Sequence, residues 1–376
     1  MIRGIINFIN LFIYKKNRVV ISVFPNFEDN GVALAKYIAA NYNIQIYFIN
    51  PTNKYSKFIN ETLNIEVLQS KTLKSIYLIL TSKFVFFTHG LVLKRISKRQ
   101  IVFNLWHGYP YKSVGTYLNG KGINATYTAA TSDYCQVLFS KMFDVPFDSV
   151  EITGFPRNDN LIIGNRNEIL SKFKIAGNKF IFIWLPTYRR SVIGEIMNDG
   201  VETGNPFSIK DFDIYKFNKF LEKNNAVCIL KPHPLAPKFS SVKEINNIVF
   251  IDDDFLHDNE MTLYPLLGVT DCLISDVSSV IIDYMLLDKP IICFIEDIIE
   301  YKKSRGLVFD NFEEMIPGSV AYNIDDFYGI LDKLFTENDL LPDKRRDLES
   351  FFHKYKDFNS SKRVSDIVFK NFKFEK

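Results

Sequence analysis

Residues 104–115, NLWHGYPYKSVG, place His107 directly after an apolar run, with Trp106 before it, Gly108 after it and Lys112 five residues on. A neutral imidazole can take a proton from a hydroxyl near pH 7, and a glycine beside it lets backbone or substrate come close. Residues 273–294, LISDVSSVIIDYMLLDKPIICF, read as strand, polar turn, helix and strand in one line. Their turn offers Asp276 and the hydroxyls of Ser278 and Ser279 at a helix start, where free N–H groups suit an anion. Between these segments lie TGFPRNDN, LPTYRR and LKPHP, which carry Arg157, Asp159, Arg189, Arg190, Lys231 and His233 beside prolines that fix turned loops. Guanidinium forks bind phosphate oxygens in pairs, so the set suits a nucleotide diphosphate. Each member also has an ordinary reading: a lone histidine after a strand is usually a structural hydrogen-bonder, Ser278 can cap its helix, and single cations decorate surfaces. Asp276 and Asp283 straddle the helix start rather than facing one another, so no metal pair is assigned.

Loops converge in this way at the strand ends of parallel sheets. The chain has a first series of apolar runs, RVVISVF from Arg18, IQIYFIN from Ile44, FVFFT from Phe84 and IVFNLW from Ile101. A second series holds KFIFIWL from Lys179, AVCIL from Ala226, NIVFI from Asn247, DCLIS from Asp271 and PIICFI from Pro290. Runs this uniformly apolar predict strands covered on both faces, hence two α/β units in tandem. The polar stretch 162–179 is the expected boundary, and residues 189–208, with three glycines and little periodicity, are expected to form a mobile loop. Ser360 or Ser361 is positioned to cap a terminal helix.

Length and charge agree with this division. The 376 residues suffice for two domains, and 46 basic against 43 acidic side chains exclude a protein devoted to coating nucleic acid. Four scattered cysteines form neither a zinc signature nor a secreted disulfide framework, which points to a reducing cytoplasm. No run is long enough to span a bilayer. The opening MIRGIINFINLFIYKKNR is apolar and closes on Lys15, Lys16 and Arg18, which predicts either an interfacial helix with basic anchors or a helix docked on the first sheet.

The ordered segments LWHGYPYKSVG, GFPRND, LPTYRR, LKPHP and ISDVSSVIIDYMLLDKPII, with SSKRVSDIV near the end, resemble the CDP-glycerol glycerophosphotransferases of bacterial teichoic acid and capsule synthesis. The resemblance implies an α/β, GT-B architecture of two facing Rossmann-like domains with parallel sheets. An acceptor-binding domain is expected over 1–165 and a nucleotide-donor domain over 178–355, with the terminal helix near 360–376 packing back on the first. It implies His107 as general base and His233 as a second essential histidine. Arg189, Lys231, Asp276, Ser278 and Ser279 are expected at the donor diphosphate, and Trp106, Gly108, Lys112, Arg157 and Asp159 near substrate. CDP-glycerol or CDP-ribitol is the implied donor, and a lipid-linked glycan or polyol phosphate the acceptor. No cofactor, no metal and no nucleic acid are expected, with the enzyme held peripherally at the inner face of the membrane. Tyr109 and Val277 depart from the family pattern. The alternatives are a ribitol-phosphate transferase, a GT-B nucleotide-sugar glycosyltransferase, or a non-catalytic subunit of a polymer-export complex.

Overall fold

The computed structural model describes residues 2–52, 59, 65–118, 120–187, 207, 209, 212–232, 245–337 and 339–372. Its strands fall into two parallel sheets. The first contains β1 (Lys16–Ser22), β2 (Ile46–Asn50), β3 (Ile65–Gln69), β4 (Ser82–Phe87), β5 (Ile101–Asn104), β6 (Tyr127–Ala130) and β7 (Val150–Ile152), ordered β3-β2-β1-β4-β5-β6-β7. The second contains β8 (Phe180–Leu185), β9 (Ala226–Leu230), β10 (Ile248–Phe250), β11 (Cys272–Ser275), β12 (Ile291–Phe294) and β13 (Ser319–Ala321), ordered β10-β9-β8-β11-β12-β13. The nine runs read from sequence each overlap one of these strands. The short β3, β6, β7 and β13, with Glu66, Thr128, Glu151 and Ser319 inside them, carry too little apolar signal to be read.

Each sheet reverses its strand order once, between β1 and β4 and between β8 and β11. The loops leaving the carboxyl ends at such a reversal diverge to opposite faces and leave a crevice between them. Loops leaving both sheets line one common cleft. Helix α1 (Ile2–Phe12) lies against the loop 94–100, α2 (Asp29–Asn41) follows β1, α3 (Asp253–Asp258) follows β10, and α4 (Val280–Tyr284) follows β11. The terminal helix α5 (Ser360–Phe369) returns to the first sheet, where Phe369 packs on Tyr42 and Phe84 at centroid distances of 4.8 and 4.9 Å.

α1 inverts the usual arrangement of a docked helix. Its polar residues face inward: Asn7 Oδ1 accepts from the backbone N–H of Arg95 at 2.9 Å, and Asn10 donates to the Arg95 carbonyl at 2.9 Å. Ile5, Phe8, Ile9 and Phe12, one helical stripe, are exposed. Two of the three expected basic anchors are buried. Lys15 donates to the Asn10 side chain and to the Leu80 carbonyl, and Arg18 bonds Ser82 Oγ at 2.9 Å and lies over the Tyr47 and Tyr77 rings. Lys16 stays at the surface with Lys94, Arg95, Lys98 and Arg99. No described helix is long and apolar enough to cross a membrane.

Candidate functional site

β5 ends at Asn104, whose side chain accepts from the Trp106 N–H at 3.1 Å and supports a left-handed Trp106, φ 57°. That turn throws the Trp106 ring back onto Phe143 and Phe139 and turns His107 into a cleft of about 340 Å³ between the two sheets. His107 Nδ1 is 3.0 Å from the Thr88 carbonyl. A carbonyl only accepts, so Nδ1 carries the proton and Nε2 holds the basic lone pair. Burial, helped by the nearby Arg157, lowers the His107 pKa to about 4, against the value near 7 expected of a base in this role. The ring is therefore neutral at pH 7, and a dianionic diphosphate beside it would raise its basicity.

Across the cleft the turn after β11 brings Ser278 and Ser279 to the surface. Ser279 stands at the N-cap of α4 with helical backbone and makes no capping bond with its side chain; Ser278 Oγ makes only a long contact of 3.4 Å with the Val280 N–H. The hydroxyls thus face the cleft, where the capping reading would have turned them inward. α4 has five residues and continues as one 3-10 turn, so hydroxyls rather than a long helix dipole must carry any anion. Gly108, φ 148°, meets this turn so closely that a Cβ there would lie 2.4 Å from Ser279 Oγ. Lys231, at the end of β9, completes the charge with its Nζ 2.7 Å from Asp253 of α3.

Arg157 lines the same cleft but is not an open phosphate ligand. Its guanidinium pairs with Asp283 of α4, donates to the His107 carbonyl at 2.7 Å and lies over the Tyr264 ring, and Tyr264 in turn donates to Asp283 at 2.6 Å. The arginine is an interdomain clasp joining the peptide of His107 to the helix of Ser279. Burial opposes its charge and the Asp283 carboxylate more than offsets this, so its pKa is raised.

Four other residues expected at the site have structural partners of their own. Asp159 accepts from the backbone N–H groups of Ser360 and Ser361 at 2.8 Å each, so it caps α5 from a distant loop, which the Ser360 and Ser361 hydroxyls were expected to do. Replacing Asp159 by Ala is expected to cost about 1 kcal/mol of stability, the usual worth of an N-cap, with turnover at low temperature unchanged. Thermal melts and rates of the purified variant check it. Asp276 accepts from the Thr187 N–H at 2.9 Å and hydroxyl at 2.8 Å, which anchors the loop after β8. Lys112 lies in an antiparallel bridge to Leu307, away from the cleft, with its ammonium over Tyr301. Trp106 backs His107 without lining the cleft. Tyr109 is a core residue packed on Phe352. Arg189 and His233 lie outside the described residues, as does most of 189–208, although Phe207 packs on Trp184 in the second core.

The sequence reading missed three contributors to the cleft. The loop Pro25–Asp29 after β1 supplies Glu28, which caps α2 through the Gly31 N–H at 3.2 Å and whose pKa burial raises to about 8. His257 of α3 sits edge-on to Phe27 at 5.1 Å. His89, two residues beyond β4, stacks on His107 with centroids 3.7 Å apart. The signal for His89 was the one used for His107, a histidine just past an apolar run. Three of the four described histidines line one cleft.

Residues 5–370 match the family described as CDP-Glycerol:Poly(glycerophosphate) glycerophosphotransferase. Teichoic acid ribitol-phosphate polymerase TarL of Staphylococcus aureus is 28% identical over 73% of this chain and 49% of its own length. The chain spans about half the length of the ribitol-phosphate polymerases it matches. Teichoic acid glycerol-phosphate primase of Bacillus subtilis is 24% identical over 93% of this chain and 91% of its own. The wall teichoic acid polymerase TagF shares the fold, with a TM-score of 0.77, 19% identity, and coverage of 98% of this chain and 92% of that one. Both sheets and the cleft between them thus belong to the GT-B architecture.

Proposed function

Since the chain belongs to the CDP-glycerol:poly(glycerophosphate) glycerophosphotransferase family, we propose that it transfers a polyol phosphate from a CDP-activated donor to a hydroxyl of a lipid-linked or polymer acceptor, with glycerol phosphate as the unit. The observation that carries this reading is the opposition, across one cleft, of a neutral His107 with a free Nε2 to the turn bearing Ser278 and Ser279, with Lys231 from the end of β9 beside it. The match to a glycerol-phosphate primase over 93% of this chain and 91% of that protein supports glycerol as the unit.

In this mechanism the acceptor oxygen attacks the β-phosphorus while His107 Nε2 takes its proton. The bond from the β-phosphorus to the bridging oxygen breaks, CMP leaves and a phosphodiester forms. Ser278, Ser279 and Lys231 hold the diphosphate oxygens as charge shifts to the leaving phosphate. Arg189 and His233 are assigned to the same anion from the family pattern. Incubation with CDP-glycerol, CDP-ribitol and a panel of UDP-sugars tests the reading. CMP release is expected with a CDP-polyol, and UDP release alone would overturn it in favour of a glycosyltransferase.

The outward stripe of α1 supports peripheral attachment at a membrane. Ile5, Phe8, Ile9 and Phe12 are exposed on α1, and Lys94, Arg95, Lys98 and Arg99 are exposed on the loop that α1 docks against, so one region of the surface offers both apolar side chains and cations. Each cation adds about 1 kcal/mol near such a surface, and each inserted phenylalanine about 2 kcal/mol. The chain is expected to sediment with vesicles containing phosphatidylglycerol at low salt. Phe8→Glu with Phe12→Glu should abolish this, whereas an unbound wild type would return α1 to a purely structural role.

A further inference from the structure

We propose that His89 is a positioning residue for the transfer reaction: its ring, laid face to face on His107, holds that ring on the Thr88 carbonyl and keeps water from it. The proposal rests on His107 acting as the base. β4 and β5 are adjacent and in register, Phe87 opposite Asn104, so the residues just beyond their ends meet at one height. The two rings are nearly parallel, 11° apart, at 3.7 Å. Thr88 and His89 thus hold His107 twice, by the carbonyl at 3.0 Å and by the stacked face. A hydrogen bond alone leaves the ring free to tilt about Nδ1; a flat neighbour removes that freedom. His89 is itself fixed, with Nδ1 3.3 Å from Thr88 Oγ1 and the Phe24 ring edge-on at 5.3 Å.

Near neutral pH, where neither ring is charged, the stack acts by excluding water. Burial, and then the charge His107 would carry, lower the His89 pKa to about 3, and burial lowers that of His107 to about 4, so both rings are neutral at pH 7. The charged and titratable groups that share the cleft, Glu28 from the loop after β1, Asp29 from α2, Arg157, Lys231, and Asp253 and His257 from α3, are the same in every variant of His89. Losing the ring therefore admits water and raises the His107 pKa toward its ordinary value.

The test uses the full chain with CDP-glycerol and acceptor, together with ¹⁵N-histidine NMR. For His89→Ala the account expects kcat to fall about tenfold with donor KM within about twofold, and the acid limb of kcat/KM to move up by about one pH unit. The His107 signal should change from the Nδ1–H tautomer to a mixture. His89→Phe, a flat ring without nitrogens, should keep kcat within about threefold and leave limb and tautomer in place. If His89→Ala does not fold, His89→Leu replaces it with the same expectations. An unchanged rate and pH profile in His89→Ala would overturn the proposal. So would an equal loss in His89→Phe with the tautomer intact, since the His89 nitrogens would then contact substrate. His107→Asn separates the two readings. If it keeps turnover, the base assignment fails; if it is inactive while His89→Ala is normal, only the role of His89 fails.

Discussion

His107→Asn is expected to lower kcat by about 10² to 10⁴ while donor affinity and melting temperature hardly change. An alkanol hydroxyl is a poor nucleophile while it keeps its proton, and His107 presents the one basic nitrogen that the Thr88 hydrogen bond leaves free. Asparagine keeps roughly the volume and a donor toward the Thr88 carbonyl, so the turn and the clasp on the 107 carbonyl persist. Steady-state kinetics and a thermal melt on the same preparation check both halves. Near-full turnover, or a loss explained by unfolding, would make His107 structural and shift the search to His233.

The second large effect concerns stability. Asp283→Asn is nearly isosteric and leaves the Arg157 guanidinium buried without its counter-charge, which costs about 3–5 kcal/mol where a buried pair loses one member. For a chain of this size a melting temperature lower by on the order of 10 °C is expected. Arg157→Met should be comparably destabilised and should also lose kcat at temperatures where it is folded, because the His107 carbonyl loses its donor. The double variant Arg157→Met with Asp283→Leu should regain part of the stability, since apolar packing often replaces a buried ion pair without loss. It should not regain the rate. Additive losses in the double variant would show that the two side chains do not act together.

Much of this was legible in the sequence for identifiable reasons. Strands buried on both faces leave runs such as Ala226–Leu230 that no turn or exposed helix imitates, so the two parallel sheets could be read directly. His107, Ser278, Ser279 and Lys231 were legible because strand ends of parallel sheets converge. What stayed hidden depends on partners far along the chain. Arg157 and Asp159, two residues apart in one loop, look alike as candidates for substrate, yet one pairs with Asp283 and the other caps a helix starting at Ser360. No local pattern distinguishes a cation that meets a ligand from one that meets a carboxylate of the other domain. The inward face of α1 was hidden similarly, because two asparagines in an apolar helix read as its solvent side until their partners at Arg95 and Gln100 are known.

The central claim is that His107 drives transfer at phosphorus, and ³¹P NMR of a complete reaction tests it most directly. With CDP-glycerol and a hydroxyl acceptor, the diphosphate signals should give way to equal amounts of CMP monoester and a new phosphodiester, in the wild type and not in His107→Asn. Release of CDP, or the same phosphodiester formed at an undiminished rate by His107→Asn, would contradict the account.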